Sequence, residues 1–173
     1  MSGRCARTGA VAERAAAGGA ALAALAASLA VCAAEGPQAA YPAGLASFQA
    51  NCAVCHGPAG AGVPALAPPL LSYPLRYAAS AEGRRQLVMT VLYGMIGDIT
   101  VEDKHYNFQM PEFRRLDDAT LAATLNFVVF ELGHAAADIK PLTSAEIAAE
   151  SAHVLDGAAV REHRRSVVAA ASP

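Results

Sequence analysis

Six residues, Cys52-Ala53-Val54-Cys55-His56-Gly57, constrain this chain more than any other stretch. They bring two cysteines, a histidine and a glycine into C-x-x-C-H-G spacing. A close cysteine pair serves three chemistries: a redox dithiol, a structural metal site, or covalent attachment of a haem. A redox dithiol needs the pair to open a helix behind a strand, where the helix dipole lowers the first thiol's pKa. No strand pattern precedes Cys52. A structural zinc needs four Cys or His ligands. Outside the motif the folded part of the chain offers only His105, His134, His153 and His163, with no second Cys pair and no HxxxH spacing. The haem reading uses every residue of the motif. Cys52 and Cys55 add across two vinyl groups to form thioethers, and His56 places its imidazole under the iron as proximal ligand. Gly57 lets the chain turn away with no side chain against the ring.

The other two cysteines, Cys5 and Cys32, sit in a different kind of segment. Residues 1–19 carry Arg4, Arg7 and Arg14 among small residues. Residues 20–32 follow as an apolar run that is short for a bilayer span and flanked by small residues, and small residues then occupy the positions a signal peptidase reads. Residues 1–34 therefore read as an export signal, and the mature chain begins near Glu35. Two alternatives are retention of the leader as a membrane anchor and acylation of Cys32, since LAVC resembles a lipobox. Only those two would involve a membrane. Export leaves Cys52 and Cys55 as the sole cysteines, and places the protein in the periplasm, where bacterial c-type haem attachment occurs. From Glu35 onward 10 Lys and Arg face 14 Asp and Glu, a formal charge of −4. That argues against a nucleic-acid partner, which calls for a net basic face.

Residues 35–42 read as a linker. Residues 43–55 suit a short helix with Gly44 and Phe48 on one face. The Gly- and Pro-rich run 57–74 has no apolar period and needs something to wrap around if it is ordered. A helix over 80–93 begins at Ser80 and carries Leu87, Val88, Val91 and Leu92 on one stripe, ending at Gly94 and Gly97. Residues 98–111 look irregular or weakly extended. Asp117 or Asp118 then caps a helix carrying Leu121, Leu125, Val128, Val129 and Leu132 up to Gly133. These elements predict an all-α haem domain over 43–137. Residues 138–173 form a helical C-terminal extension. Thr143 and Glu146 make a capping box, one helix runs to about Val154, a second starts near Gly157, and the last residues fray. A haem domain does not require this extension, so it docks on a partner or covers part of the domain.

The sixth iron ligand is to be chosen among Met89, Met95, Met110 and the histidines. Met89 lies in the helical stripe and reads as core filler. Met95 stands between glycines. Met110 lies in a non-helical segment, is fixed by Pro111 and directly precedes the last core helix, which makes it the preferred ligand. His105 is the polar rival, and all four histidines outside the motif read as surface residues. Arg76, Arg84 and Arg85 could neutralise haem propionates, and Tyr77, Tyr93 and Tyr106 could hydrogen-bond to them, with plain solvation as the ordinary alternative.

CAVCHG, the proline-rich loop, Met110-Pro111 and the terminal core helix, in this order, resemble the class I cytochrome c family over residues 41–133. The resemblance implies short helices wrapped around one haem c held by two thioethers. It also implies a Pro68 carbonyl that accepts a hydrogen bond from the proximal histidine, Leu70 packed on the haem, and Gly44 and Phe48 crossing Leu125, Val128 or Val129. Residues 87–113 further resemble cytochrome subunits that accept electrons from periplasmic dehydrogenases, through Leu92-Tyr93-Gly94, Ile99-Thr100-Val101 and Tyr106-Asn107. They depart from that pattern at Asp103 and Phe108, where glycine is common. The implied role is single-electron transfer from a dehydrogenase-type donor to an oxidase or another cytochrome, as a carrier or an electron-transfer subunit and not an enzyme. The alternative is a haem-based sensor in which Met110 leaves the iron and a small gas binds.

Overall fold

The first helix, α1 (Pro42–Asn51), opens on a proline at its first turn, where the missing N–H costs nothing. In the computed structural model the described residues are 40–171. The expected export signal of 1–34 and most of the expected linker lie outside them. A single turn, α2 (Ala53–His56), follows and ends at Gly57, whose φ of +75° suits glycine. The Gly- and Pro-rich run is ordered. Gly62 N–H bonds to the His56 carbonyl, Leu70 N–H to the Gly60 carbonyl, and Val63 pairs with Ala67.

Two helices come next, α3 (Tyr73–Ala78) and α4 (Ala81–Tyr93), the latter capped by the Ser80 hydroxyl accepting from Gly83 N–H. The weakly extended segment is a small antiparallel hairpin of β1 (Ile99–Val101) and β2 (Lys104–Tyr106), with Thr100 opposite His105. Its turn puts Glu102 and Asp103 at φ +52° and +62°, so the departure from glycine at position 103 is accommodated by an aspartate in the left-handed region.

Asp117 caps α5 (Asp118–Asn126) by accepting from Thr120 N–H. The last core helix does not continue regularly to Gly133. Phe127–Leu132 form a π-helical turn, in which Gly133 N–H reaches back five residues to the Val128 carbonyl. The apolar stripe is divided as a result. Val129 joins Leu121 and Leu125 in one core with α4, while Val128 joins Phe48 and Phe127 in a second, under α1.

The extension forms α6 (Ser144–Ser151), opened by the Thr143/Glu146 capping box, and α7 (Gly157–Ala171). The first ends earlier than the sequence suggested. The second continues through Val167-Val168-Ala169-Ala170 with no fraying within the described residues, because Val167 is buried. Leu142, Ile147 and Val160 are buried in the same core as α4 and α5. Burying side chains of this size is worth about 1.5–3 kcal/mol each. Asn126 clasps the Leu142 backbone at both ends, donating from Nδ2 to its carbonyl at 2.9 Å and accepting its N–H at Oδ1 at 2.7 Å. The extension covers the domain and completes its core. Among the described residues no helix is long and apolar enough to cross a membrane.

Candidate functional site

Helical backbone presents the motif. The Cys52 N–H closes α1 onto the Phe48 carbonyl, and the N–H groups of Cys55 and His56 both bond to the Cys52 carbonyl. The thiols and the imidazole are thus fixed by the turn that joins α1 to α2. The orientation of α1 depends on Gly44. A Cβ there would lie 2.1 Å from the Ala123 carbonyl oxygen and 2.8 Å from the Phe127 Cβ. The crossing partners of Gly44 are therefore Ala123 and Phe127, not Leu125 or Val129. Phe48 packs on Phe127, with ring centroids 5.3 Å apart, and on Val128.

The motif opens onto a cavity of about 210 Å³, far larger than the roughly 30 Å³ that one water occupies. Cys52, Cys55, His56, Pro68, Leu70 and Met110 all line it, so the structure brings every sequence-selected residue to one place. Its walls are mostly apolar, with Leu87 and Val91 from α4 and Val101 and Tyr106 from the hairpin. Met95 lines the cavity as well, whereas Met89 and the other four histidines do not.

His56 is 8% exposed, and its Nδ1 lies 2.9 Å from the Pro68 carbonyl oxygen. A carbonyl can only accept, so Nδ1 carries the hydrogen and Nε2 keeps its lone pair. Burial holds the His56 pKa below the usual imidazole range, against the opposing pull of the Pro68 carbonyl. The neutral ring, oriented through its other nitrogen, is the form that binds a metal. Burial, with a smaller contribution from Cys55, pushes the Cys52 thiol up to about 11. A redox dithiol needs the opposite shift.

Met110 is positioned through its backbone. It exchanges two hydrogen bonds with Met95, Met95 N–H to Met110 O at 3.1 Å and Met110 N–H to Met95 O at 2.9 Å. The approach requires Gly94, at φ +69°, where a Cβ would stand 2.3 Å from the Met110 carbonyl oxygen.

The polar residues named from the sequence sort differently. Arg84 and Arg85 are bound to Glu146 and Glu150 of the extension, and Arg76 lies over the Tyr73 ring. The Tyr93 hydroxyl donates to the carbonyls of Glu150 and His153. None of these four lines the cavity, whereas Tyr77 and Tyr106 do. His163 is no surface residue: its side chain is 18% exposed, with Nδ1 against Gln86 Oε1 and Nε2 against Glu82 Oε2. Sequence reasoning missed Arg164, which lines the cavity from α7. Its place in the row Val160, Arg164, Val167, at helical spacing on a buried face, was the available signal.

The family model for cytochrome c matches residues 42–129. The chain belongs to the cytochrome c family. A cytochrome c-552 of Thermus thermophilus is 36% identical to it over 104 residues, which cover 59% of this chain and 79% of that relative. A second cytochrome c-552 of the same organism is 36% identical over the same length and covered to 70%. The mostly helical architecture is that of a class I cytochrome c. Membership makes the cytochrome an electron carrier that works with redox partners and holds a haem c covalently. The cavity of this cytochrome fits that group: two thiols and an imidazole with a free Nε2 on its wall, apolar sides, and thioether sulfurs from methionine. It also holds a Tyr77 hydroxyl that is buried without a hydrogen-bond partner, a polar end left for a ligand to satisfy.

Proposed function

We propose that this cytochrome is a periplasmic monohaem electron carrier. In this reading Cys52 and Cys55 would hold haem c covalently, His56 and Met110 would ligate its iron, and Pro68 and Leu70 would complete the site. The observation that carries it is the convergence of the motif, the Pro68-bound imidazole and Met110 on one apolar cavity. When bound, the haem would supply single reversible electron transfer, and ligation by His56 and Met110 would raise the potential at which the electron is accepted. The chain's own part is to hold both ligands still. The Pro68 carbonyl fixes the His56 tautomer, and the paired backbone at Met95 and Met110 fixes the sixth side. Met110 is preferred to Met95 because Pro111 restrains it and because Met95 is the more buried of the two, within the core under α4.

The donor is a dehydrogenase-type oxidoreductase and the acceptor an oxidase or another cytochrome. Val54 and Phe108, exposed by 79% and 57% at the lining of the cavity, support a small apolar docking face beside the haem edge. Residues 1–34 direct export, and the amino terminus of the purified protein should begin near Glu35.

The test is the absorption spectrum of the exported protein, ferric and ferrous, with and without carbon monoxide. The expected result is a covalent low-spin haem with a sulfur-to-iron charge-transfer band when oxidised and no response to carbon monoxide. The band should vanish in Met110→Ala and survive in Met95→Ala. Carbon monoxide binding to the unmutated protein would replace the carrier reading with the gas-sensor one.

A further inference from the structure

Arg164 stands near the middle of α7, in the C-terminal extension, yet lines the same cavity as His56 and Met110. The residue is 9% exposed. Its guanidinium donates from Nη2 to the Thr100 carbonyl at 3.0 Å, and among the described residues no carboxylate pairs with it. Its neighbour Arg165, by contrast, pairs with Glu162 at 2.6 Å in the solvent. A buried guanidinium without an anion is expensive, because desolvation is not repaid by one neutral carbonyl. Beside it lies Tyr77, whose hydroxyl is fully removed from solvent and has no hydrogen-bond partner. Burial pushes the Tyr77 phenol upward while the Arg164 charge opposes the shift, so the two groups feel each other directly. Two donors with spare capacity therefore meet at one wall of a mostly apolar cavity, with no carboxylate paired to either among the described residues. The missing complement is a carboxylate that enters with the cofactor.

We propose that Arg164 and Tyr77 together seat a propionate of the haem, which makes the C-terminal helix a part of the cofactor-binding machinery. The inference rests on the haem c reading of the cavity. It explains why a helix beyond the matched family region carries a buried cation, and why the arginines closer to the motif in sequence do not serve. Arg84 and Arg85 are committed to Glu146 and Glu150, and Arg76 lies over the Tyr73 ring and does not line the cavity. Seating the propionate also ties α7 to the hairpin, since the same guanidinium holds the Thr100 carbonyl.

The experiment is a spectroscopic redox titration of the holoprotein at one pH, on the unmutated chain and on Arg164→Gln, Arg164→Lys, Tyr77→Phe and Arg165→Gln. A buried cation beside the propionate opposes the extra positive charge of the ferric state. Arg164→Gln should therefore lower the equilibrium constant for reduction about tenfold, roughly 59 mV for one electron, as expected for a charge at an effective dielectric near 20. Arg164→Lys should restore most of that change, and Tyr77→Phe should give a smaller fall of about two- to threefold. Arg165→Gln, which removes the same charge from the solvent side of the same helix, should stay within about 1.5-fold of the unmutated chain. If Arg164→Gln loses stability but titrates like Arg165→Gln, Arg164 merely props α7 on Thr100 and the proposal is overturned. If Arg164→Gln does not fold, unchanged potentials in both Arg164→Lys and Tyr77→Phe overturn it equally. Absence of covalent haem in the unmutated chain would instead sink the underlying haem reading, and the pigment spectrum separates that case before any titration begins.

Discussion

Replacing Gly44 with alanine tests the packing on which the position of the motif depends. On an exposed helix the change would stabilise by about 0.8–1.0 kcal/mol, because alanine is the better helix former. Here the new Cβ would lie 2.1 Å from the Ala123 carbonyl oxygen and 2.8 Å from the Phe127 Cβ. An ordinary contact needs about 3.5 Å, so α1 must retreat from α5 by more than about 1 Å. No rotamer can relieve a clash with backbone. The retreat loosens Phe48, which is 0% exposed, from Phe127 and Val128. Overpacking typically costs about 1–3 kcal/mol, and the loosened aromatic contacts push this case to the upper end or beyond. After the gain in helix propensity, the expected net loss is about 2–3 kcal/mol. For a folded unit of about 130 residues, each kcal/mol moves Tm by about 3–4 °C, so calorimetry on the holoprotein should show a fall of about 6–12 °C. An unchanged or higher Tm in Gly44→Ala would refute the close helix crossing.

Other outcomes follow from the extension and the hairpin. Arg84 donates to both oxygens of Glu146 and to the carbonyls of Lys140 and Pro141, so Arg84→Ala should cost about 1–3 kcal/mol by urea unfolding, with partial exposure of Glu146 lowering the figure. A cost below the error of the midpoint would show that the extension is held by its apolar residues alone. The same arginine, first among several hydrogen-bonding partners, keeps the Glu146 carboxyl below its ordinary value of 4.5. Its contribution to stability is thus complete above that value and is lost as the pH falls through the lower, folded one. Arg84→Gln should remove that part of the acid sensitivity, and parallel stability profiles below pH 4.5 in the two proteins would contradict it. Asp103, exposed and at φ +62°, should accept glycine with a gain of about 0.5 kcal/mol in the urea midpoint, and a loss would mean that its side chain matters to the turn.

The parts of this cytochrome that were legible in the sequence are those governed by local rules. CAVCHG announces its chemistry by spacing, Ser80, Asp117 and Thr143 announce helix starts by their side chains, and Met110-Pro111 marks a fixed loop methionine. Pro68 and Leu70 came from family resemblance, and both line the cavity. What stayed hidden depended on contacts between distant segments. Arg84 could not be recognised as the anchor of the extension before Glu146, 62 residues away, was seen beside it. For Tyr93 the sequence offers a propionate or solvent, and nothing local says that the carbonyls of Glu150 and His153 take its buried hydroxyl instead. Arg164 was passed over in a basic cluster, where charge alone suggests solvent. The π-helical turn was invisible because the spacing of Leu125, Val128, Val129 and Leu132 fits a regular helix equally well.

That turn lies where α1 and the C-terminal extension both meet the last core helix. An ordinary α-helix advances about 100° per residue and keeps one continuous apolar seam. The wider loop at Phe127–Leu132 resets the phase, so that Leu125 and Val129 serve the core shared with the extension while Val128 and Leu132 serve the core beneath α1. One short rod therefore meshes with two gears. α1, whose C-terminal end leads into Cys52, and α6 of the extension both pack on α5, so the helix that positions the motif and the segment after Gly133 share one support.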